Sequence, residues 1–243
     1  MPTYTVAPDE LESGSCTITG NEAHHLARVL RVRPGEKIQI TDGQGKLYEG
    51  KIESVGKEVT ASVTREIVAP SPYPITLFVS LLKREKMEWI AEKAAELNLA
   101  EVIFVKTSHS VVSELKPERM ERIVQAASKQ CGRAHKLAIQ NLSLAEAMKK
   151  PMTHFICVEK EAAATFGEFF KTYSVHPPYG IWVGPEGGWD TDEKERMTIA
   201  GAQPITLGPL VLRAETAAMC AASSLIAVMG KIPPGPPFSK GGI

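Results

Sequence analysis

The residues most able to do chemistry fall in two short stretches: Val183-Gly184-Pro185-Glu186-Gly187-Gly188-Trp189 and, a little later, Leu207-Gly208 followed by Leu212-Arg213-Ala214-Glu215-Thr216-Ala217. Glycines at strand ends free backbone N–H groups and let a ligand approach the main chain closely. Arg213 is suited to stabilising a developing anion or holding a phosphate, and Glu215 to orienting Arg213 or accepting a proton. Glu215 is equally well explained as an acid at a helix start, and Glu186 as a turn acid before the next helix. The spacing is not GxGxxG with a downstream acid, which disfavours a dinucleotide site, and it is not GxxxxGK[ST], which excludes a P-loop. One such turn is ordinary punctuation. A second glycine turn one strand later points to a pocket in an α/β sheet.

These stretches need elements to hold them. Ile181-Trp182-Val183 reads as a buried strand, and Asp190 with Glu193 has the capping-box spacing of a helix running to about Gly201. Pro204–Leu207 reads as a strand, and a long helix begins at Glu215. Upstream, Ile75–Leu81 is a strand and Lys83–Asn98 an amphipathic helix, with Met87, Ile90, Ala91, Ala94 and Leu97 on one face. Glu101–Lys106 is a strand, Pro117 opens a helix with Met120, Ile123, Val124 and Ala127 inward, Thr153–Val158 is a strand, and Ala162–Phe170 is helical. This alternation predicts an α/β domain with a mostly parallel sheet over 71–231. Residues 1–70 carry short alternating runs, Thr17–Thr19, Lys37–Thr41, Leu47–Ile52 and Glu58–Val63, and predict a small β-barrel or sandwich. Asn21–Leu30 is helical in pattern there, with His24, His25, Arg28, Arg31 and Arg33 clustered on or just after it. The proline-rich Val68–Pro74 marks the linker, and the Pro/Gly-rich tail 232–243 is expected to be disordered.

Lys plus Arg and Asp plus Glu both number 28, so no global charge announces a nucleic-acid partner and any basic surface must be local. The segment 116–136 is such a place: Lys116, Arg119, Arg122, Lys129, Arg133 and Lys136 face only Glu118 and Glu121. A solvated helix face is the plain alternative for such a run. The cysteines Cys16, Cys131, Cys157 and Cys220 form no CxxC pair, which fits reduced thiols in a cytoplasmic protein and no metal site. No apolar run reaches membrane-spanning length, and the start of the chain lacks a signal pattern.

The two glycine-bearing stretches, in this order and spacing, strongly resemble the ribosomal RNA small-subunit methyltransferase E family of the SPOUT class. His24-His25-Leu26, Val29-Leu30-Arg31 and Asp42-Gly43 resemble its PUA-like N-terminal barrel. Lys83, Lys86, Lys93, Glu96 and Leu97, then Gln130 and Arg133, resemble the first helices of its knotted domain. The resemblance implies a C-terminal trefoil-knotted α/β domain and a homodimer acting on 16S rRNA. It implies transfer of a methyl group from S-adenosyl-L-methionine to N3 of a uridine. Cofactor binding would fall to Val183, Gly184, Pro185, Glu186, Gly187, Leu207, Gly208, Leu212, Thr216 and Ala217, catalysis to Arg213 and Glu215, and RNA contact to His24, His25, Arg28, Arg31 and Arg133. The chain departs from the family pattern at Leu210 and His109, where Arg is usual, at Ala126, where Glu is usual, and at Asn98, where Gly is usual. Two other readings are kept: a SPOUT enzyme acting on another target, ribose 2′-hydroxyl or tRNA, and a binding homologue without turnover.

Overall fold

The structure, a computed structural model, describes residues 3–12, 14–111, 115–159 and 163–230. The expected disordered tail, 232–243, lies outside the described residues. The chain divides into two compact units, Met1–Pro72 with Arg122–Lys136, and Tyr73–Glu121 with Leu137–Ile243.

The first unit holds β1 (Thr3–Thr5), α1 (Pro8–Glu12), β2 (Ser15–Ile18), α2 (Gly20–His24), β3 (Lys37–Thr41), β4 (Leu47–Val55) and β5 (Val59–Ile67). The strands form a mixed sheet in the order β1-β3-β4-β5-β2, in which only β1 and β3 run parallel. Alternation places Cys16, Ile18, Ile38, Ile40, Ile52, Val59 and Ala61 in one core with Leu26, the arrangement expected of strands with one wet face. The helical pattern at 21–30 splits: α2 gives way to a π-helical turn over His25–Leu30, which ends at Arg31 in the left-handed region, φ +52°. The segment 122–136 packs into this unit through Lys136 N–H to the Gly43 carbonyl (2.8 Å) and Gly45 N–H to the Ala134 carbonyl (3.1 Å).

The second unit holds β6 (Tyr73–Ser80), α3 (Arg84–Glu96), β7 (Leu99–Lys106), the start of α4 (Pro117–Cys131), β8 (Ala138–Ser143), α5 (Leu144–Ala147), β9 (Thr153–Cys157), α6 (Phe166–Thr172), β10 (Tyr179–Val183), α7 (Thr191–Ile199), β11 (Gln203–Ile205) and α8 (Ala214–Val228). Its six strands are all parallel, in the order β11-β9-β10-β6-β7-β8. Strands covered on both faces read as continuous apolar runs. All five residues of β10 are buried, as are Ile75 and Leu77–Ser80 of β6. Trp182 stacks on Phe78 with ring centroids 4.1 Å apart, across the β10–β6 pair that carries the site. Its indole N–H donates to His154 Nδ1 (3.0 Å), while His154 Nε2 meets the Lys150 carbonyl (3.0 Å). Burial keeps the His154 imidazole below its usual pKa, so the neutral ring that can accept from Trp182 persists.

Several local features differ from the sequence expectation. β8 and α5 lie between the predicted helix at Pro117 and the predicted strand at Thr153, where no element was expected. β6 starts at Tyr73, inside the proline-rich linker; the register irregularity against β7 between Tyr73 and Thr76 accommodates Pro74, which has no N–H to give a ladder. α6 starts at Phe166, because Thr165 and Glu168 make a capping box there.

Candidate functional site

Three loops at the carboxyl ends of β9, β10 and β11 build a cleft of about 610 Å³ in the second unit. This is where open parallel sheets place ligands, and the volume suits a nucleoside-sized molecule. Val183, Gly184, Pro185 and Glu186 line it from the β10 loop, and Leu207, Gly208 and Leu212 from the β11 loop, with Arg213 and Ala217 leading into α8. The structure thus brings these sequence-predicted residues together on one wall. Gly187 and Thr216 are outside the lining and exposed, and Glu215 adjoins the cleft through an ion pair with Lys86.

The β10 loop is shaped by steric fit. A Cβ at Gly184 would fall 3.0 Å from Nε1 and 3.1 Å from Cε2 of Trp189, so the main chain lies directly on the indole. The left-handed residue is Gly188, φ +75°. Gly187 is constrained differently, since its Cβ would come within 3.2 Å of His109 Cβ. His109, in the loop after β7, also places Nδ1 3.0 Å from the Gly188 carbonyl. Thus a position where the sequence departs from its resembled family makes a direct contact with the glycine loop.

Glu193 ties the same two loops together. Its Oε2 accepts from Asp190 N–H (3.1 Å), completing the expected capping box. Its Oε1 accepts from both the backbone N–H and the hydroxyl of Ser108, at 2.7 and 3.0 Å. With the residue only 6% exposed, the carboxylate is a buried hub. Asn98, where the resembled family carries Gly, follows α3 with φ +55°. Asn is the side chain that best tolerates that region, so the departure preserves the turn.

Electrostatics at the mouth centre on Lys86 of α3. Its Nζ hydrogen-bonds Glu186 Oε1 and lies 3.1 Å from Glu215 Oε2. Glu215 Oε2 is buried and has no other partner; its contact with Lys86 is a charge contact whose angle does not make a well-directed hydrogen bond. The hydrogen bond and charge of Lys86, with lesser help from Lys83 and Arg213, hold the Glu186 carboxyl below the usual range. The two carboxylates in turn raise the Lys86 ammonium above its own. Arg213 is exposed, and its guanidinium makes no hydrogen bond or ion pair with another described residue. Sequence reading took Lys86 only as part of a helix and passed over Cys157, Val158, Glu159 and Lys194 as site residues, which also line the cleft. A signal for Lys86 existed: a cation in a helix's first turn opposes the macrodipole and needs a nearby reason.

In the first unit, His24, His25, Arg28, Arg31 and Arg33 are exposed around the π-helical turn, with Val29 and Leu30 exposed among them. Arg133 is 7% exposed and its Nε–H donates to the His135 carbonyl; burial lowers its pKa to about 10. No group of three or more His, Cys, Asp or Glu among the described residues is placed to hold a metal ion. No helix among them is long and apolar enough to cross a membrane.

A parallel α/β unit with a backbone-rich cleft at its strand ends, in one chain with a separately packed small β unit that carries surface arginines, defines a two-unit enzyme of the ligand-binding α/β class. Comparison with known proteins makes the class specific. The RNA methyltransferase domain family matches residues 69–226, and an RNA methyltransferase PUA domain matches 18–63; the chain belongs to the RNA methyltransferase family. Ribosomal RNA small subunit methyltransferase E of Bacillus subtilis is 29% identical over 231 residues, 88% of this chain and 90% of its own length. The Synechocystis protein of the same name is 28% identical over 92% of this chain and 77% of its own. Among solved structures, a Neisseria gonorrhoeae ribosomal RNA small subunit methyltransferase E bound to S-adenosyl methionine superposes with a TM-score of 0.83 at 29% identity, covering 94% of this chain and 98% of that one. A probable rRNA-methyltransferase from Porphyromonas gingivalis gives 0.82 at 30% identity, over 95% and 99%.

Proposed function

We propose that this protein transfers the methyl group of S-adenosyl-L-methionine to N3 of a uridine in the 16S RNA of the small ribosomal subunit. The observation that carries the reading is the cleft itself, which presents backbone at Val183–Pro185 and Leu207–Gly208, apolar walls, and at its edge Arg213, whose guanidinium forms no ion pair with a described residue. The residues fit the cofactor. Gly184 keeps side chains out of the floor beside Trp189, and Ala217 is small where α8 approaches. Cys157 also lines the cleft, and burial pushes its thiol up to about 12. A neutral thiol is a poor nucleophile, so it does not compete for an electrophilic methyl. When bound, the cofactor supplies a methyl on a sulfonium for in-line displacement; the protein's part is chiefly alignment.

Uridine N3 carries a proton at neutral pH, so the acceptor must lose it or have the resulting anion stabilised. Arg213, free of internal pairing, is assigned to the uracil anion or a flanking phosphate, and Glu215 to orienting it or taking the proton. Val183, Gly184, Pro185, Glu186, Leu207, Gly208, Leu212 and Ala217 would hold the cofactor, with Gly187 and Thr216 supporting the loops from outside. On the first unit, His24, His25, Arg28 and Arg31 are exposed for base or phosphate contact. Arg133 is assigned to holding the 133–135 turn of that surface, given its burial.

The proposal includes a trefoil knot, in keeping with β10 lying between β6 and β9, and a cytoplasmic homodimer. Thr216, Cys220, Ser223 and Ala227 expose one face of α8, and no charged residue follows Glu215 in that helix. Such a face suits helix packing against a second copy.

The test is methyl transfer from labelled cofactor to undermodified small subunits, followed by digestion of the RNA to nucleosides. The expected product is 3-methyluridine. A 2′-O-methylated nucleoside, or label in tRNA alone, moves the chain to another target, and cofactor binding without any product makes it a binding homologue.

A further inference from the structure

Three elements meet at Lys86. The residue stands in the first turn of α3, which follows β6, the neighbour of β10 in the sheet. Glu186 belongs to the loop after β10, and Glu215 to the first turn of α8, just beyond the loop after β11. Lys86 Nζ is bound to the carboxylate of the first and lies 3.1 Å from that of the second, with the Lys86 and Glu215 side chains 19% and 18% exposed. Both cleft loops are therefore fastened to the same ammonium group.

The position is electrostatically costly for a lysine on its own, because the first turn of a helix repels a cation. Two carboxylates reverse that sign. Without the ammonium, Glu215 Oε2, buried and lacking any other partner, would be left as an uncompensated charge, which proteins rarely tolerate. The cations next in reach of this acidic pair are Lys83 and Arg213, both of which already act on Glu186. Arg213 lies in the chain directly before Ala214 and Glu215, so its recruitment is the nearest remedy.

We propose that Lys86 is a positioning residue: by neutralising Glu186 and Glu215 together it clamps the two cleft loops in register and keeps Arg213 free for the acceptor. The clamp is a property of the protein alone; its consequence for transfer rests on the methyltransferase reading above. Lys86 does not touch the reacting atoms in this scheme. It decides which cation the carboxylates take.

The experiment compares Lys86→Met, which keeps the length of the chain and removes the charge, with Lys86→Arg, which keeps the charge. Hydrogen exchange is followed on the cofactor-free protein at the amides of Gly184, 186–189 and 213–217, with Ile90–Ala95 of α3 as the internal control. Lys86→Met is expected to accelerate both loops about tenfold while the control stays unchanged, and Lys86→Arg to stay within about twofold of the wild type. In the transfer assay, Lys86→Met should lower kcat about 30-fold with a much smaller change in KM for the cofactor, and Lys86→Arg should recover most of it. Unchanged exchange in either loop, or an arginine variant as impaired as the methionine one, overturns the clamp. Exchange that rises in the loops while kcat is unaffected overturns the link to Arg213. A wild-type protein that methylates no RNA removes the proposed function and leaves the exchange result to stand on its own.

Discussion

At the scale of single residues, the cleft separates side chains that are committed from those that are not. Glu186 and Glu215 are engaged by Lys86, Glu193 by Ser108 and Asp190, and Trp182 by His154. The Arg213 guanidinium acts on Glu186 only as a minor charge and forms no ion pair or side-chain hydrogen bond with a described residue, which leaves it open to a partner from outside the chain. Arg213→Ala should therefore fold normally and bind S-adenosylmethionine within about threefold of the wild type by calorimetry. Its methyl transfer should fall about a hundredfold or more, the loss typical of removing a preorganised charge-stabilising donor. Undiminished transfer would remove Arg213 from the mechanism. Gly187→Val tests the loop by a different route. Its φ is unexceptional, so the penalty comes from the side chain, whose Cβ meets His109 at 3.2 Å and whose γ-carbons need further room. The variant should weaken cofactor binding about tenfold or more by displacing the loop; pairing it with His109→Gly, which removes the opposing Cβ, should restore much of the loss. Normal binding by Gly187→Val alone would mean the loop yields freely and is not a rigid wall.

At the scale of elements, the site depends on joining loops that belong to different strands. Ser108 after β7 and Asp190 at the start of α7 share one buried carboxylate, Glu193. Glu193→Ala strands two backbone donors and a hydroxyl, and hydrogen bonds to a charged group of this kind contribute about 2 kcal/mol net. For a chain of this size that is a drop in melting temperature of about 5 °C. A thermal melt should show it, with cofactor affinity falling in parallel as the β10 loop loosens; a variant that melts within a degree of the wild type would show that the cap alone is enough. The capping box was legible in the sequence, because Asp190 and Glu193 are local and their spacing is diagnostic. The second role of Glu193 was not, since nothing local links it to a serine 85 residues away. The same holds for the split of α2 into a π-helical turn, which periodicity over ten residues does not resolve.

At the scale of the whole molecule, the uncharged exposed face of α8 makes the assembly testable. Sedimentation of the wild type should give a dimer, and Ser223→Arg, placing a charge in the middle of that face, should give a folded monomer. A monomeric wild type would separate this chain from the homodimer that its resemblance implies. The two units also differ in kind: one is a mixed sheet with a wet face, the other an all-parallel sheet whose central strands are buried on both faces. Alternating apolar residues in the first and continuous apolar runs in the second already distinguish them along the chain, because burial on one face or two is written into the period of the strand.

The sequence alone was enough for the strand–helix alternation of the α/β unit apart from β8 and α5, and for the two glycine turns that the structure brings to one cleft. Each of these depends on neighbours a few residues apart, or on motifs whose spacing is preserved along the chain. Only the tertiary structure could decide that Arg133 is buried against the His135 carbonyl while Arg28 and Arg31 stay exposed, since a run of basic residues looks the same in either case. It also decided that Lys86 joins Glu186 to Glu215, across 100 residues in the first pairing. Strand order in a parallel sheet sets such meetings. β10 is laid down between β6 and β9, and that placement, made by packing over the whole sheet, brings the start of α3 to the mouth of the cleft.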